Sequence, residues 1–543
     1  MLRKFKTKFS NMNLQLKIVF WFTVANFFAT GMGLLTTPIF TRVLTTEEYG
    51  LYGVFNSYST VLCVIATLNL HLTAIYNALT KRPNPKEEIV SSYQSLSMVV
   101  AIVFAVIAIV FRKPLADLMD LPEIIVVAMF VSFVFIEPYQ LWLVYKRYQF
   151  SYQKPVILSI SITIISPLIS LLAIYLTPGD RGVARVLAYV VVCTILPGLF
   201  FYFVNYRKSK TFADKELWTY ALGFAIPLIP HYLSETLLNQ TDKIMINHYF
   251  STAEAGIYHV AFTAAGFVRI LMTAINSAYI PWQFQKLKEK DYKSMERVSY
   301  SILIVLALII TLITLFAPEV VMILAGEKYD GAIALIPTLG ASVFFNYMYQ
   351  LYARVEMYCE KTSYTVIATF SATILNIVLN ILFMPTFGYV FAGVSTLLSH
   401  MLFVIMHYFA CKKVCRECLD GAKIYDGRIM LGISAVLTGI AIFTTWSYDY
   451  IVVRYIFIGV LLLIAFLFRK KIMSVFKMIS KKPAKAAEKA EDAAETDAAE
   501  GADTAEDAAG TDAAEGADMA EDAGKTDAAE DNAVEKPEDD KDE

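Results

Sequence analysis

From Leu14 to Met473 the chain alternates apolar runs of about 20–25 residues with short polar connections. Runs of that length, folded as helices, match the ~30 Å hydrocarbon core of a bilayer. Fourteen are read, near residues 14–40, 51–79, 89–111, 123–145, 155–177, 183–205, 217–247, 252–282, 299–325, 331–358, 363–384, 389–411, 429–447 and 450–470. The pattern predicts an all-α polytopic membrane protein of about 14 transmembrane helices. The first run is too long for a secretory signal and has no convincing cleavage site, so it is read as a span. No connection is long enough to house a soluble domain.

Polar residues interrupt four runs at helical spacing. The first span carries Asn26, Thr30, Gly33, Thr37 and Thr41, and the second Asn56, Thr60, Cys63, Thr67 and His71. The seventh carries His231, Glu235, Asn239 and Asp242; the eighth carries His259, Thr263, Gly266, Arg269, Thr273 and Asn276. Steps of three and four place each set on one helix face. Small polar residues alone serve to glue helices together in membranes. The charges require more.

Arg269 lies about fifteen residues into its span, where even the mildest scale sets a cost of about 2.5–3.5 kcal/mol. It is expected either to face a hydrated cavity or to pair with Glu235. Pro227 and Pro230 interrupt the seventh span, freeing backbone carbonyls and bending the helix in a way that suits a gate. Glu137, deep in the fourth span, has no polar stripe around it, so a structural hydrogen bond and ion coupling both stay open. Arg354 and Glu356, near the end of the tenth span, are expected to snorkel. His71 and His400 are expected to be satisfied packing histidines. Arg42 ends the first span as either a snorkelling anchor or an outer-gate residue. The ninth and fourteenth spans are nearly featureless and are expected to face lipid.

Charge sets the orientation. The N-terminus brings Arg3, Lys4, Lys6, Lys8 and Lys17, and every second connection is basic, as at Lys81, Arg82 and Lys86, or Lys286, Lys288 and Lys290. The alternate connections hold few basic residues or none. Basic connections stay on the cytoplasmic side, so both termini are expected there. With 57% hydrophobic and 18% charged residues the composition excludes a soluble enzyme and a folded basic nucleic-acid binder. The tail from Ala484 onward holds 23 acids against 5 lysines, and the body before it 26 acids against 42 basic residues. That Ala/Glu/Asp-rich tail is expected to be disordered, following a basic juxtamembrane stretch. It reads either as a solvated appendage or as a contact for a basic partner. Cys411, Cys415 and Cys418 are one ligand short of a structural zinc site, and no metal is expected. No nucleotide-binding or hydrolase motif appears; any uphill transport must draw on an ion gradient of H+ or Na+, and no cofactor is expected.

LTTEEYGLY (Leu44–Tyr52) recurs as FSTAEAGIY (Phe250–Tyr258), with Thr46/Thr252, Glu48/Glu254, Gly50/Gly256 and Tyr52/Tyr258 coinciding. YQLW (Tyr139–Trp142) is echoed by YQLY (Tyr349–Tyr352). Each copy of the first motif looks like an outer hairpin opening a helix, capped by Thr46 or Thr252. Two pseudo-symmetric six-helix lobes in one orientation follow, around a central cavity. The expected organisation is a basic N-terminus (1–13), an N-lobe (14–205), a cytoplasmic linker (206–216) and a C-lobe (217–411). Two extra helices (412–475) and the tail (476–543) complete it.

RVLTTEEYGLYG (Arg42–Gly53) resembles the hairpin signature after the first span of polysaccharide-exporting flippases. TDKIMINHYFSTAEAGIYHVA (Thr241–Ala261) is similar to their passage between spans seven and eight, and NIVLNILFMPTFGYVFAGVSTLLSH (Asn376–His400) to their spans eleven and twelve. The family is the Wzx-type oligosaccharide flippases of the MOP superfamily, over about residues 10–475. The resemblance implies a cavity between spans one, two, seven and eight, the four spans with polar stripes. It implies a polyprenyl (undecaprenyl) diphosphate-linked oligosaccharide as substrate, turned across the bacterial cytoplasmic membrane. Membrane lipids and polysaccharide assembly proteins, such as a polymerase and glycosyltransferases, are the implied partners; nucleic acid is not. Arg269, Asn26, Asn239, Asn276 and Arg42 are then the candidate substrate ligands, and Glu235, His231, Asp242 and Glu137 the candidates for ion coupling or gating. The first span has no arginine before Arg42, fewer than a lipid II flippase is expected to gather. A MATE-like drug or metabolite antiporter and a membrane polymerase or ligase are the competing classes.

Overall fold

The computed structural model describes residues 14–361 and 363–480. The predicted N-terminal segment 1–13, the tail from Lys481 onward and the side chain of Asn26 lie outside the described residues.

The first half runs α1 (Leu14–Val43), α2 (Thr46–Ala66), α3 (Ile75–Lys81), α4 (Lys86–Val110), α5 (Arg112–Met119), α6 (Glu123–Tyr148), α7 (Gln153–Leu176), α8 (Arg181–Val190) and α9 (Leu196–Ser209). The second half runs α10 (Lys215–Ala225), α11 (Ile229–Tyr249), α12 (Thr252–Lys288), α13 (Tyr292–Leu315), α14 (Ala317–Leu324), α15 (Ile336–Tyr358), α16 (Ser363–Phe387) and α17 (Phe391–Cys418). Then come α18 (Gly427–Ser447) and α19 (Ile451–Ser480). There is no strand among the described residues. Helices occupy the apolar segments except within the second, where residues 67–74 form a turn between α2 and α3 and take Thr67 and His71 off the predicted helix face; among the described residues 10 helices are long and apolar enough to cross a membrane.

The two prolines of the seventh span do what their chemistry requires. A 3-10 turn at Ile226–Leu228 separates α10 from α11. The two pieces then go different ways. In α10, Leu217, Ala221 and Ala225 are buried with Leu79, Tyr93 and Leu141 of the first half. The Trp218 indole donates to the Ser92 carbonyl at 3.0 Å, and Arg82 stands 4.3 Å over the Tyr220 ring. α11 instead packs on α2, α12 and α16.

The outer hairpins cap their helices one residue earlier than expected. Thr45, not Thr46, accepts from the Glu48 amide at 3.1 Å while Glu48 Oε2 accepts from the Thr45 amide at 2.8 Å, a reciprocal capping box. Ser251, not Thr252, accepts from the Ala253 amide at 3.1 Å. Thr46 and Thr252 are themselves the first helical residues, and the residue before each keeps the extended backbone a cap needs.

Two burial expectations need correction. The ninth span, α13, buries Val298, Ile302, Leu306 and Ile310 on one side, against α15 and α18. Lipid and a neighbouring apolar helix select the same residues, so sequence alone does not separate them. α19 exposes Val452, Ile456, Leu463 and Leu467, as a lipid-facing helix should. Arg354 and Glu356 do not snorkel: they are 7% and 0% exposed, held by polar partners inside the second half.

Candidate functional site

Where the two halves meet, α1 and α2 face α12 and α11, the four helices that carry the polar stripes. The seam is shut at the end that the charge pattern assigns to the outside. There the two copies of the repeat cross: a Cβ at Gly50 would overlap the Thr252 carbonyl, and one at Gly256 the Thr46 carbonyl. Backbones this close tolerate only glycine. A Cβ at Gly53 would press on the His259 side chain at 3.1 Å. Around the crossing, Arg42 donates to the Ile323 carbonyl at 3.0 Å and Thr41 to the Leu324 carbonyl at 2.8 Å. The Lys328 ammonium donates to the Leu44 carbonyl. Arg42 thus ties α1 to the Ile323 carbonyl at this end of the seam, and it also donates to its own Pro38 carbonyl at 2.8 Å.

Inward from the crossing Ser57 donates to Gln240 across the seam at 3.1 Å. Beyond that bond Thr60, Glu235 and Thr273 are exposed, and Gly33 on α1 likewise. The four polar stripes thus part toward the basic end. The side chains exposed there mark a candidate cavity between the stripes.

Two cations stand at its wall. The Arg269 guanidinium lies 4.5 Å and the Lys243 ammonium 4.7 Å from the centre of the Phe262 ring. Arg269 is half-buried and Lys243 1% exposed. No carboxylate lies within salt-bridge reach of either among the described residues. The expected alternative for Arg269, a pair with Glu235, is therefore absent. One ring shared by two cations offsets only part of their desolvation, at about 0.5–2 kcal/mol each. Of the two, Arg269 is the one exposed enough to meet an anion. Lys243 is not among the candidates read from sequence. An intramembrane lysine was the signal that could have found it.

Asp242 is occupied elsewhere. Its carboxylate accepts from the Tyr258 hydroxyl at 2.7 Å, from the amides of Asn380 at 2.7 Å and Asn376 at 3.2 Å, and from the Thr396 hydroxyl. All five residues are buried, at the junction of α11, α12, α16 and α17. A carboxylate, two amides and two hydroxyls form an oxygen-rich set once the amides rotate. His400 closes the cluster by donating Nδ1 to the Thr396 carbonyl at 2.8 Å.

The other candidates divide plainly. Asn276 is held within its own half, donating to Gln350 at 3.0 Å and accepting from Arg354 at 2.6 Å. Asn239 is half-buried and donates to the Glu235 carbonyl of its own helix at 2.8 Å. His231 is half-buried, with Nδ1 unpartnered among the described residues. Glu137, fully buried, meets His71 Nδ1 at 2.7 Å; its second oxygen has no partner among the described residues. Glu356 pairs in the same way with His407 at 2.9 Å. Cys411 and Cys415 are buried with sulfurs 3.9 Å apart, and no group of metal-ligating side chains is assembled among the described residues.

A family model described as polysaccharide biosynthesis protein matches residues 16–288, just over half of the chain, and one described as MatE matches residues 227–382. Lsg locus putative protein 1 of Haemophilus influenzae is 32% identical over 173 residues, covering 30% of this chain and 43% of that protein. The succinoglycan biosynthesis transport protein ExoT of Rhizobium meliloti is 23% identical over 50% of this chain and 54% of its own length. The probable low-salt glycan biosynthesis flippase Agl15 of Haloferax volcanii is 22% identical over 40% and 46%. The chain thus spans about half the length of these curated relatives. Among solved structures, the lipid II flippase MurJ in an inward closed conformation matches with TM-score 0.61 at 13% identity, over 83% of this chain and 99% of that one. An inward-facing multidrug resistance MATE transporter of the MOP superfamily matches with TM-score 0.54 at 12% identity, over 75% and 99%. This multi-pass membrane chain, with the fold of the MOP superfamily, belongs to the polysaccharide biosynthesis protein family.

Proposed function

We propose that this protein is a flippase that turns a polyprenyl diphosphate-linked oligosaccharide, of the undecaprenyl kind, from the inner to the outer leaflet of a bacterial cytoplasmic membrane. The observation that carries the reading is Arg269: a half-buried guanidinium at mid-helix, with no carboxylate in reach among the described residues, beside a second cation on the same ring. A diphosphate is the anion such a pair fits, because guanidinium and phosphate oxygens match in geometry as well as charge. The sugars and phosphates of the head group cannot shed water and cross ~30 Å of hydrocarbon unaided. The polar stripes of α1, α2, α11 and α12 replace that hydration, while the polyprenyl chain stays in lipid. Rocking about the seam then closes the basic end and opens the other.

Coupling is assigned to the Asp242 cluster. Its oxygens suit a hard monovalent cation, and its carboxylate suits a proton equally well; either ligand would replace donors now aimed at Asp242 and so link occupancy to the packing of α11 against α16 and α17. ExoT and Agl15, named for glycan transport and glycan flipping, support the substrate class. The MatE match favours the alternative, a cation-coupled drug or metabolite antiporter.

Deletion cells separate the two. Undecaprenyl-linked sugar should accumulate on the cytoplasmic face, relieved by the wild-type gene and not by Arg269→Gln at equal membrane level. Loss of one charge-assisted bond predicts a drop in export of roughly tenfold to a hundredfold. No accumulation, with a lost drug-efflux phenotype instead, would overturn the flippase reading.

A further inference from the structure

The shut end of the seam contains a polar group that the hydrogen bonds of Arg42 and Thr41 do not use. Arg185 of α8 is 6% exposed. Its guanidinium lies 4.1 Å from the ring centre of Phe40, 4.2 Å from that of Tyr52 and 4.8 Å from that of Tyr49. Its Nη1 has no hydrogen-bond partner among the described residues, and neither do His259 Nδ1 and the Tyr329 hydroxyl. These three orphaned groups converge on one place: Tyr49 packs 5.6 Å from His259 and 5.9 Å from Tyr329, centre to centre. Each buried polar group left unbonded costs about 1–3 kcal/mol, so a structural strut is a poor account of all three together.

They also divide by half. Arg185, Phe40, Tyr49 and Tyr52 belong to the first half, His259 and Tyr329 to the second. Parting the seam here carries His259 and Tyr329 away and uncovers one face of the arginine with its tyrosines. His259 and Arg269 are ten residues apart on α12, about 15 Å along its axis.

We propose that Arg185, with Tyr49 and Tyr52, forms a second binding subsite for the sugar diphosphate head group, buried while the outer end is shut and offered to the outer leaflet when it opens. The guanidinium takes a diphosphate oxygen with its free Nη1, and the phenols supply hydrogen bonds to sugar hydroxyls. The head group thus passes between two cationic stations, Arg269 with Lys243 on the inner side and Arg185 on the outer. This assignment rests on the flippase reading above.

The test is bidirectional flipping in proteoliposomes of the full chain, with the probe, polyprenyl diphosphate-linked N-acetylglucosamine, loaded in one leaflet at a time. Arg185→Gln should raise KM for uptake from the outer-facing leaflet about tenfold or more and leave KM from the inner-facing leaflet unchanged. Arg185→Lys should recover part of the loss, keeping charge without the planar fork. Tyr49→Phe with Tyr52→Phe, which keeps both rings, should shift the same KM in the same sense and serves if Arg185→Gln does not insert. A strut would change kcat alike in both directions; equal outer-face KM in all variants overturns the subsite. Wild-type vesicles that carry the probe in neither direction overturn the flippase reading, and this one with it.

Discussion

A charged side chain inside an apolar run is the loudest residue-level signal a membrane sequence offers, and here it pointed to Arg269, Asp242 and Glu137. Their surroundings were not readable. Asp242 has four donors, and replacing it by alanine would leave them unbonded at about 1–3 kcal/mol each. Asp242→Asn keeps the shape and removes the charge. Wild-type protein is therefore expected to gain thermal stability when sodium replaces choline, or when pH falls if the coupling ion is the proton, and the asparagine variant to gain none. An unfolding midpoint indifferent to both would remove Asp242 from ion coupling. Lys243 and Arg185 show the limit of reading by spacing. Lys243 stands next to an acid that turns out to bond elsewhere. Arg185 begins a span, where a snorkelling arginine is the ordinary expectation.

Elements were more legible than their contacts. Hydropathy marked the helices, proline chemistry marked the break in the seventh span, and the repeat marked two outer hairpins. What the repeat did not reveal is that its two glycines touch one another across the seam, because no local property of Gly50 names Gly256 as its neighbour. Even a methyl group at Gly50 would collide with backbone of α12. Gly50→Ala should hold the outer end partly open. A cysteine at Leu44, 1% exposed at that end, should then react with a membrane-impermeant maleimide severalfold faster than in the Gly50 protein. Equal rates would show that the crossing yields without opening. The extra helices bear on the same end. Arg454 of α19 meets Glu319 of α14 at 2.6 Å, and Tyr448 donates to the Thr314 carbonyl at 2.6 Å. They brace the element whose carbonyls receive Arg42 and Thr41.

For the molecule as a whole, sequence supplied the all-helical, multi-pass class, while 10 of the described helices, not fourteen, are long and apolar enough to cross a membrane. It could not supply which end of the seam is shut, since both states use the same residues. The exposed Glu235, below the Ser57–Gln240 bond, makes the present state testable: Glu235→Cys should label from the cytoplasmic side and not from outside. The route of the chain through α10 has a different consequence. The helix that opens the second half is buried in the first, by Leu217, Ala221, Ala225 and the Trp218 indole, and only the short turn at Ile226–Leu228 joins it to α11. A gene severed within 210–214 would yield two polypeptides, the second bearing a ready-made plug for the first. Co-expressed, these fragments should copurify and complement in trans, whereas a cut placed at the turn should leave them to part.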